Sequence, residues 1–195
     1  MKFLITGGRG FIGSKIIEKL TQEGHKVISI DNQDTYGIMA KSDLLELMQW
    51  RSRNWNKKLV QDKVGDILDR DVCLNVFSSK PDVVINLATY PRAKIVDQDP
   101  IVGIPKVIDT TTNLLWHSSK FNVKKFVYIS SSMVYGDFVD GTKEDSNTKP
   151  KNIYGEAKLT GERLTKLFAK RDGLNYNIVR PSGVYGPGDL PDRVV

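Results

Sequence analysis

The chain has a single cysteine, Cys73, in 195 residues. One thiol excludes an internal disulfide and leaves no cysteine cluster for a metal. Cys73 lies in an apolar helical pattern with Val72, Val76 and Phe77, so packing is its expected role and a reducing, cytoplasmic compartment its expected setting. No apolar run approaches the roughly 18 residues that a membrane-spanning helix needs. The N-terminus enters a strand-like segment at once, so no signal peptide is expected. Internal repeats and low-complexity segments are absent as well. Charge of one sign is in only modest excess: a net +6 suits nucleotides, nucleotide sugars or RNA without requiring any of them. The length fits one domain or slightly more, and 39% hydrophobic residues suffice for a core.

What is present is alternation. Strand patterns at 2–6, 26–31, 59–65, 82–88, 125–130 and 175–180 alternate with helical patterns at 11–23, 38–50, 68–79, 101–120 and 153–171. Such alternation predicts an α/β fold, a doubly wound parallel sheet with helices on both faces. Ligands of such sheets sit at the carboxyl ends of the strands. The polar, turn-rich stretch from Gly136 to Lys151 reads as a loop.

Around the first of those strand ends the chain is organised. Phe3-Leu4-Ile5 leads into Thr6-Gly7-Gly8-Arg9-Gly10-Phe11-Ile12-Gly13, which opens a helical stretch. Strand, glycine turn and helix make a phosphate-binding elbow: the turn lets backbone approach a pyrophosphate, and the helix N-terminus offers N–H groups and a positive dipole end. The spacing Gly-x-x-Gly-x-x-Gly also suits a tight turn with no ligand. Eighteen residues after Gly13, Asp31 ends the second strand, where a carboxylate can accept hydrogen bonds from an adenosine ribose.

Further strand ends carry further candidates. Asp66, in Gly65-Asp66-Ile67, can bond an adenine amino group or cap the next helix, although Asp69 is a second candidate cap. Small residues in Asn86-Leu87-Ala88-Thr89 permit a flat ligand to approach, and equally suit plain packing. Ser130, Ser131 and Ser132 put three hydroxyls at a strand end, where serine is a poor strand former. Tyr154 and Lys158 share a helix face at i and i+4, so a lysine cation there would lower the phenol's pKa and make Tyr154 an acid/base candidate. Exposed helices also carry this spacing by chance. Arg51, Arg53, Lys57 and Lys58 around Trp50 and Trp55 could stack nucleobases, but read first as a solvated surface loop.

Taken together, the chain resembles the extended short-chain dehydrogenase/reductase family, the NAD-dependent epimerase/dehydratase group that acts on nucleotide sugars. The matching segments are 6–13, Asp31, Asp66-Ile67, Asn86-Leu87-Ala88, Ser130 to Gly136, Tyr154-x-x-x-Lys158 and Arg180-Pro181-Ser182-Gly183-Val184-Tyr185-Gly186-Pro187. They occur in the family's order over nearly the whole chain. The resemblance implies a Rossmann-like fold in which Gly7, Gly10 and Gly13 cradle the NAD pyrophosphate. Asp31 would hold the adenosine ribose, favouring NAD over NADP, while Arg9 is a counter-signal that would accommodate NADP. Asp66 and Ile67 would flank the adenine, Lys158 would bond the nicotinamide ribose, and Pro181 and Ser182 would lie near the nicotinamide. Phe11, Ile12, Asn32, Leu87, Ala88, Thr89 and Ser130 complete the expected cofactor contacts. Ser131 and Tyr154 would hold and deprotonate a sugar hydroxyl, with hydride passing to NAD⁺ as in an epimerase. No metal is implied.

The departures matter as much. Sugar 4,6-dehydratases carry an Asp-Glu pair after the catalytic hydroxyl; here those positions are Ser132 and Met133, which argues against dehydration. Val107 and Gly183 stand at usual asparagine positions. Family members continue well past the point where this chain stops, Val195, so residues 1–180 are expected to form the cofactor domain and 181–195 the start of a substrate-binding region, with weak or no turnover. Two rival expectations are a non-catalytic NAD-binding sensor or scaffold and an RNA-binding relative. The family also implies a nucleotide-sugar partner and a homodimer through the helices near 101–120 and 153–171; Leu115, Trp116, Leu164, Leu167 and Phe168 could supply its apolar face or equally pack only against the sheet.

Overall fold

The computed structural model describes residues 1–90, 92–137 and 139–190. Its elements run β1 (Lys2–Thr6), α1 (Phe11–Gln22), β2 (Lys26–Asp31), α2 (Lys41–Ser52), β3 (Val60–Val64), α3 (Arg70–Phe77), β4 (Val83–Asn86), α4 (Ala93–Gln98), α5 (Pro100–Lys120), β5 (Lys125–Ile129), a 3-10 turn (Ser132–Tyr135), α6 (Ile153–Asp172) and β6 (Tyr176–Val179). The six strands form one parallel sheet in the order β3-β2-β1-β4-β5-β6. The winding reverses between β1 and β4, and a crevice opens at their carboxyl ends, where such sheets bind ligands.

The central strands are mostly apolar because both faces are covered, with Thr6 and Asn86 buried at their carboxyl ends. On β1, Leu4 enters a cluster with Phe77, Leu114, Leu115 and Phe126, while Ile5 enters another with Ile17, Val27 and Trp55. Helix starts follow local chemistry. Asp69 caps α3 by accepting from the Asp71 and Val72 N–H groups, Asp99 caps α5 ahead of Pro100, and Asn152 caps α6 through the Gly155 N–H. Among the described residues no helix is long and apolar enough to cross a membrane.

Several details differ from the sequence-based expectations. Helix α2 starts at Lys41 rather than 38, and the short helix α4 was not expected. Residues 51–58 are only in part the solvated loop expected: Arg53, Lys57 and Lys58 are exposed, but Trp55 is buried, its indole N–H donating to the Ser14 carbonyl at 3.0 Å, and Arg51 is buried as well. Of the five apolar residues expected on a dimer face, Leu115 is fully buried, and Leu164 and Phe168 pack on the core, leaving Trp116 and Leu167 exposed. The stretch from Gly136 to Lys151 is a loop, within which Phe138 lies outside the described residues. So do 191–195 of the expected substrate region.

Candidate functional site

The glycine turn is built from backbone bonds. Gly7 and Gly8 both donate to the Ile30 carbonyl, at 2.8 and 3.3 Å, and the Gly10 N–H donates to the Gly7 carbonyl at 3.0 Å. Gly7 has φ +66°, and a Cβ on Gly13 would stand 2.3 Å from the Gly7 oxygen. Side chains at these positions would rebuild the turn, so the space above it depends on their absence. Among the described residues no side chain caps the N-terminus of α1. Its first N–H groups are therefore left to solvent or to an anion, the fit a pyrophosphate needs. The Thr6 hydroxyl ties this turn to the end of β4, accepting from the Leu87 and Ala88 N–H groups at 3.2 and 3.1 Å.

Asp31 lies beside the turn. Its carboxylate accepts from the Arg9 N–H at 3.0 Å and the Gln33 N–H at 2.8 Å. Burial outweighs those bonds and raises its pKa above the usual carboxylate value. Asp66 is not the cap of α3; it accepts from the Leu68 N–H at 2.9 Å, from Asn32 at 3.1 Å and from Lys106 at 3.2 Å. Burial alone would raise the Asp66 carboxyl, but those donors together hold it below its ordinary value. Tyr36 reaches over from the β2–α2 loop, its hydroxyl donating to the Thr89 carbonyl at 3.3 Å.

The opposite wall comes from β5 and α6. The Ser131 hydroxyl accepts from the Met133 N–H at 3.2 Å, and the Tyr154 N–H donates to Asp97 at 3.1 Å. Lys158 is 3% exposed; its Nζ donates to the Ile129 carbonyl at 3.0 Å and stands 5.7 Å from the Tyr154 ring centroid. Burial pushes the Lys158 ammonium down to about 7. Burial thus works against the positive charge that the sequence places beside the phenol. One turn further along α6, Glu162 is fully buried and takes two bonds from Arg180, at 2.8 and 2.7 Å, and one from the Ser130 hydroxyl at 2.6 Å. Arg180 also donates to the Tyr135 hydroxyl at 2.7 Å. This cluster joins α6, β5 and the start of the segment after β6.

One cavity of about 400 Å³ connects both walls. It is lined by Gly7, Gly10, Phe11, Ile12 and Gly13 at the turn, by Asp31, Asn32, Asp66 and Ile67 on one side, and by Leu87, Ala88 and Thr89 at its floor. Ser130, Ser131, Tyr154, Lys158, Pro181 and Ser182 line the other side. The residues expected to contact cofactor or sugar thus meet in one crevice, whereas Arg9, Ser132, Val107 and Gly183 do not line it. Sequence reasoning missed Tyr36, Arg51 and Lys106 in its lining and the Glu162–Arg180 pair behind it. Glu162 had a signal, since it repeats the i, i+4 spacing of Tyr154 and Lys158; the others are brought in by contacts distant in sequence.

A parallel sheet wound in this order, with a glycine turn at its switch point and Tyr-x-x-x-Lys across the crevice, defines a Rossmann-like protein of the short-chain dehydrogenase/reductase class. The model of the NAD dependent epimerase/dehydratase family matches residues 3–195, and the chain belongs to that family. Protein CapI of Staphylococcus aureus is 32% identical over 199 residues, covering 100% of this chain and 58% of its own length. UDP-glucuronic acid 4-epimerase from Bacillus cereus, solved with UDP-glucuronic acid and NAD, superimposes with a TM-score of 0.86 at 30% identity, covering 99% of this chain and 60% of its own. UDP-glucose 4-epimerase from Thermotoga maritima, solved with UDP-glucose, gives a TM-score of 0.84 at 31% identity, with coverages of 99% and 59%. The chain therefore spans less than two thirds of the length of each of these relatives.

Proposed function

We propose that residues 1–180 bind NAD and carry the acid/base half of a nucleotide-sugar epimerase-type oxidoreductase, with 181–195 beginning its substrate-binding region. The observation that carries this reading is the single cavity running from the Gly7–Gly13 turn and Asp31 to Ser131, Tyr154 and Lys158. In this reading the uncapped start of α1 holds the pyrophosphate, Asp31 the adenosine ribose, and Asp66 with Ile67 the adenine. When bound, the nicotinamide supplies the hydride acceptor. Ser131 bonds the reacting sugar hydroxyl, and Tyr154 takes its proton as the carbon–hydrogen bond breaks. Lys158 bonds the nicotinamide ribose and supports the deprotonated phenol. The Glu162–Arg180 pair fixes Ser130, and with it the strand end that presents Ser131.

Epimerisation is favoured over dehydration because Ser132 and Met133 follow Ser131 where an acid pair would be needed. The Ser132 N–H is tied to the Pro181 carbonyl at 2.9 Å, so this segment is held by backbone rather than armed with carboxylates. Calorimetric titration of the 195-residue chain with NAD⁺ tests the reading. Micromolar binding, lost on replacing Gly13, is expected; no binding of NAD⁺ would overturn it.

A further inference from the structure

The turn contains one residue whose charge opposes the choice of NAD. Arg9 sits between Gly8 and Gly10, next to Asp31, where a cation could pair with the 2′-phosphate of NADP. The structure accounts for its side chain. Its Nε donates to Asp62 Oδ2 at 2.8 Å, and a second guanidinium N–H bonds the same oxygen. The guanidinium lies 6.0 Å over the Trp55 ring centroid. Only its backbone N–H turns toward Asp31.

Asp62 is placed for this by the sheet. It lies on β3 opposite Ser29 of β2, two residues before the strand position that pairs with Asp31. Its neighbour Lys63 bonds Asn75 of α3 on the other face. Asp62 therefore stands on the α1 side, below the turn. Both charges of the pair reach Asp31: the Arg9 guanidinium lowers that carboxyl, and Asp62 opposes it by raising it.

We propose that Asp62 is a specificity residue, which excludes NADP by holding and neutralising Arg9. The inference rests on the proposed dinucleotide site. A 2′-phosphate at Asp31 would then meet one carboxylate and a cation already spent on another, leaving net repulsion. Removing Asp62 frees a guanidinium with the fork geometry that suits phosphate oxygens. Other cations nearby are engaged as well: the Lys41 ammonium bonds the Gln33 carbonyl, Arg51 bonds the Gly188 and Arg9 carbonyls, and Lys106 pairs with Asp66.

The pair is at the surface, with side chains 22% and 23% exposed, and such pairs contribute little to stability, so variants should fold. The test titrates wild type, Asp62→Asn, Asp62→Ala and Asp62→Ala/Arg9→Ala with NAD⁺ and NADP⁺ by calorimetry. Both single variants should bind NADP⁺ about 10-fold more tightly than wild type, with NAD⁺ affinity changed less than about threefold, and the double variant should lose the gain. A gain that survives in the double variant would assign the effect to Lys41 or to bulk charge and overturn the proposal. Wild-type binding of NAD⁺ with no gain for NADP⁺ in either variant would sink this inference alone. Loss of NAD⁺ binding in both single variants would overturn it too, since Asp62 would then shape the turn instead of restraining a side chain. If wild type binds neither dinucleotide, the site itself and this inference fail together.

Discussion

Replacing Lys158 by methionine should make the protein more stable while disabling its site. Lys158 is 3% exposed, and its ammonium is pushed from 10.5 down to about 7 by burial. In the unfolded chain it keeps its proton up to about pH 10.4. Between about pH 7 and 10.5 the unfolded state therefore binds the extra proton, so wild-type stability rises with pH across that window. Below about 7 both states are charged and the folded state bears the whole cost. At about 1.4 kcal/mol per pKa unit, the drop corresponds to a ceiling of about 5 kcal/mol. Relaxation and water penetration reduce such costs severalfold, leaving about 2 kcal/mol. Methionine has a similar length and no charge to desolvate. Lys158→Met should thus melt about 4–8 °C higher than wild type at pH 7, with the gap closing as pH approaches 10. Thermal and urea unfolding of both proteins at pH 7, 8.5 and 10 would measure it. Parallel profiles for the two proteins would refute the argument, because a lysine that stays charged in the fold gives no slope.

Three further outcomes follow from the geometry. Gly13→Ala should lower NAD⁺ affinity at least about 100-fold by calorimetry, since its Cβ would fall 2.3 Å from the Gly7 oxygen and force the turn open; near-normal affinity would remove the turn from the cofactor site. Glu162→Gln should cost about 3 kcal/mol in urea unfolding at pH 7, because it leaves the Arg180 charge without its buried partner. The Glu162 carboxyl is held below its ordinary value, with burial opposing and the bonds from Arg180 and Ser130 prevailing. Its stabilisation is therefore complete above about pH 4.3 and is lost on acidification, a loss the glutamine variant should lack. Tyr154→Phe should keep NAD⁺ affinity within about threefold and lower any NADH formation from a UDP-sugar at least about 100-fold. An unchanged rate would exclude Tyr154 as the base.

The parts of this structure that were legible in the sequence are those set by local periodicity. Buried strands β1, β2 and β4 read as short apolar runs because both faces are covered, and Tyr154 and Lys158 could be placed on one helix face by counting four. Helix α4 escaped because six residues with one buried side chain, Val96, leave no period to detect. At Arg51 and Trp55 the stretch 51–58 departs from a solvated loop for a different reason. Its composition is that of a surface, yet Trp55 fills the space between α1 and the sheet, and Arg51 turns inward to bond the Gly188 and Arg9 carbonyls at 2.8 and 3.3 Å. A basic, aromatic segment is exposed only if nothing distant needs its bulk and its donors.

The same boundary runs through the site. Residue types and spacing identified the lining of the crevice, but not the charge its members carry. Lys158 is a cation in any sequence-based argument, and in the fold burial pushes its ammonium down to about 7, with Tyr128, Tyr154 and the Ile129 carbonyl around it in place of water. Arg9 looked like a welcome for NADP until Asp62, 53 residues away, took its guanidinium. In both cases a strand or helix position could be read locally, whereas the protonation or pairing was fixed by a neighbour supplied by the sheet. The pairing and burial of groups in this crevice are therefore set one layer behind its lining. Substitutions at Asp62 and Glu162 should retune it while leaving every motif residue in place.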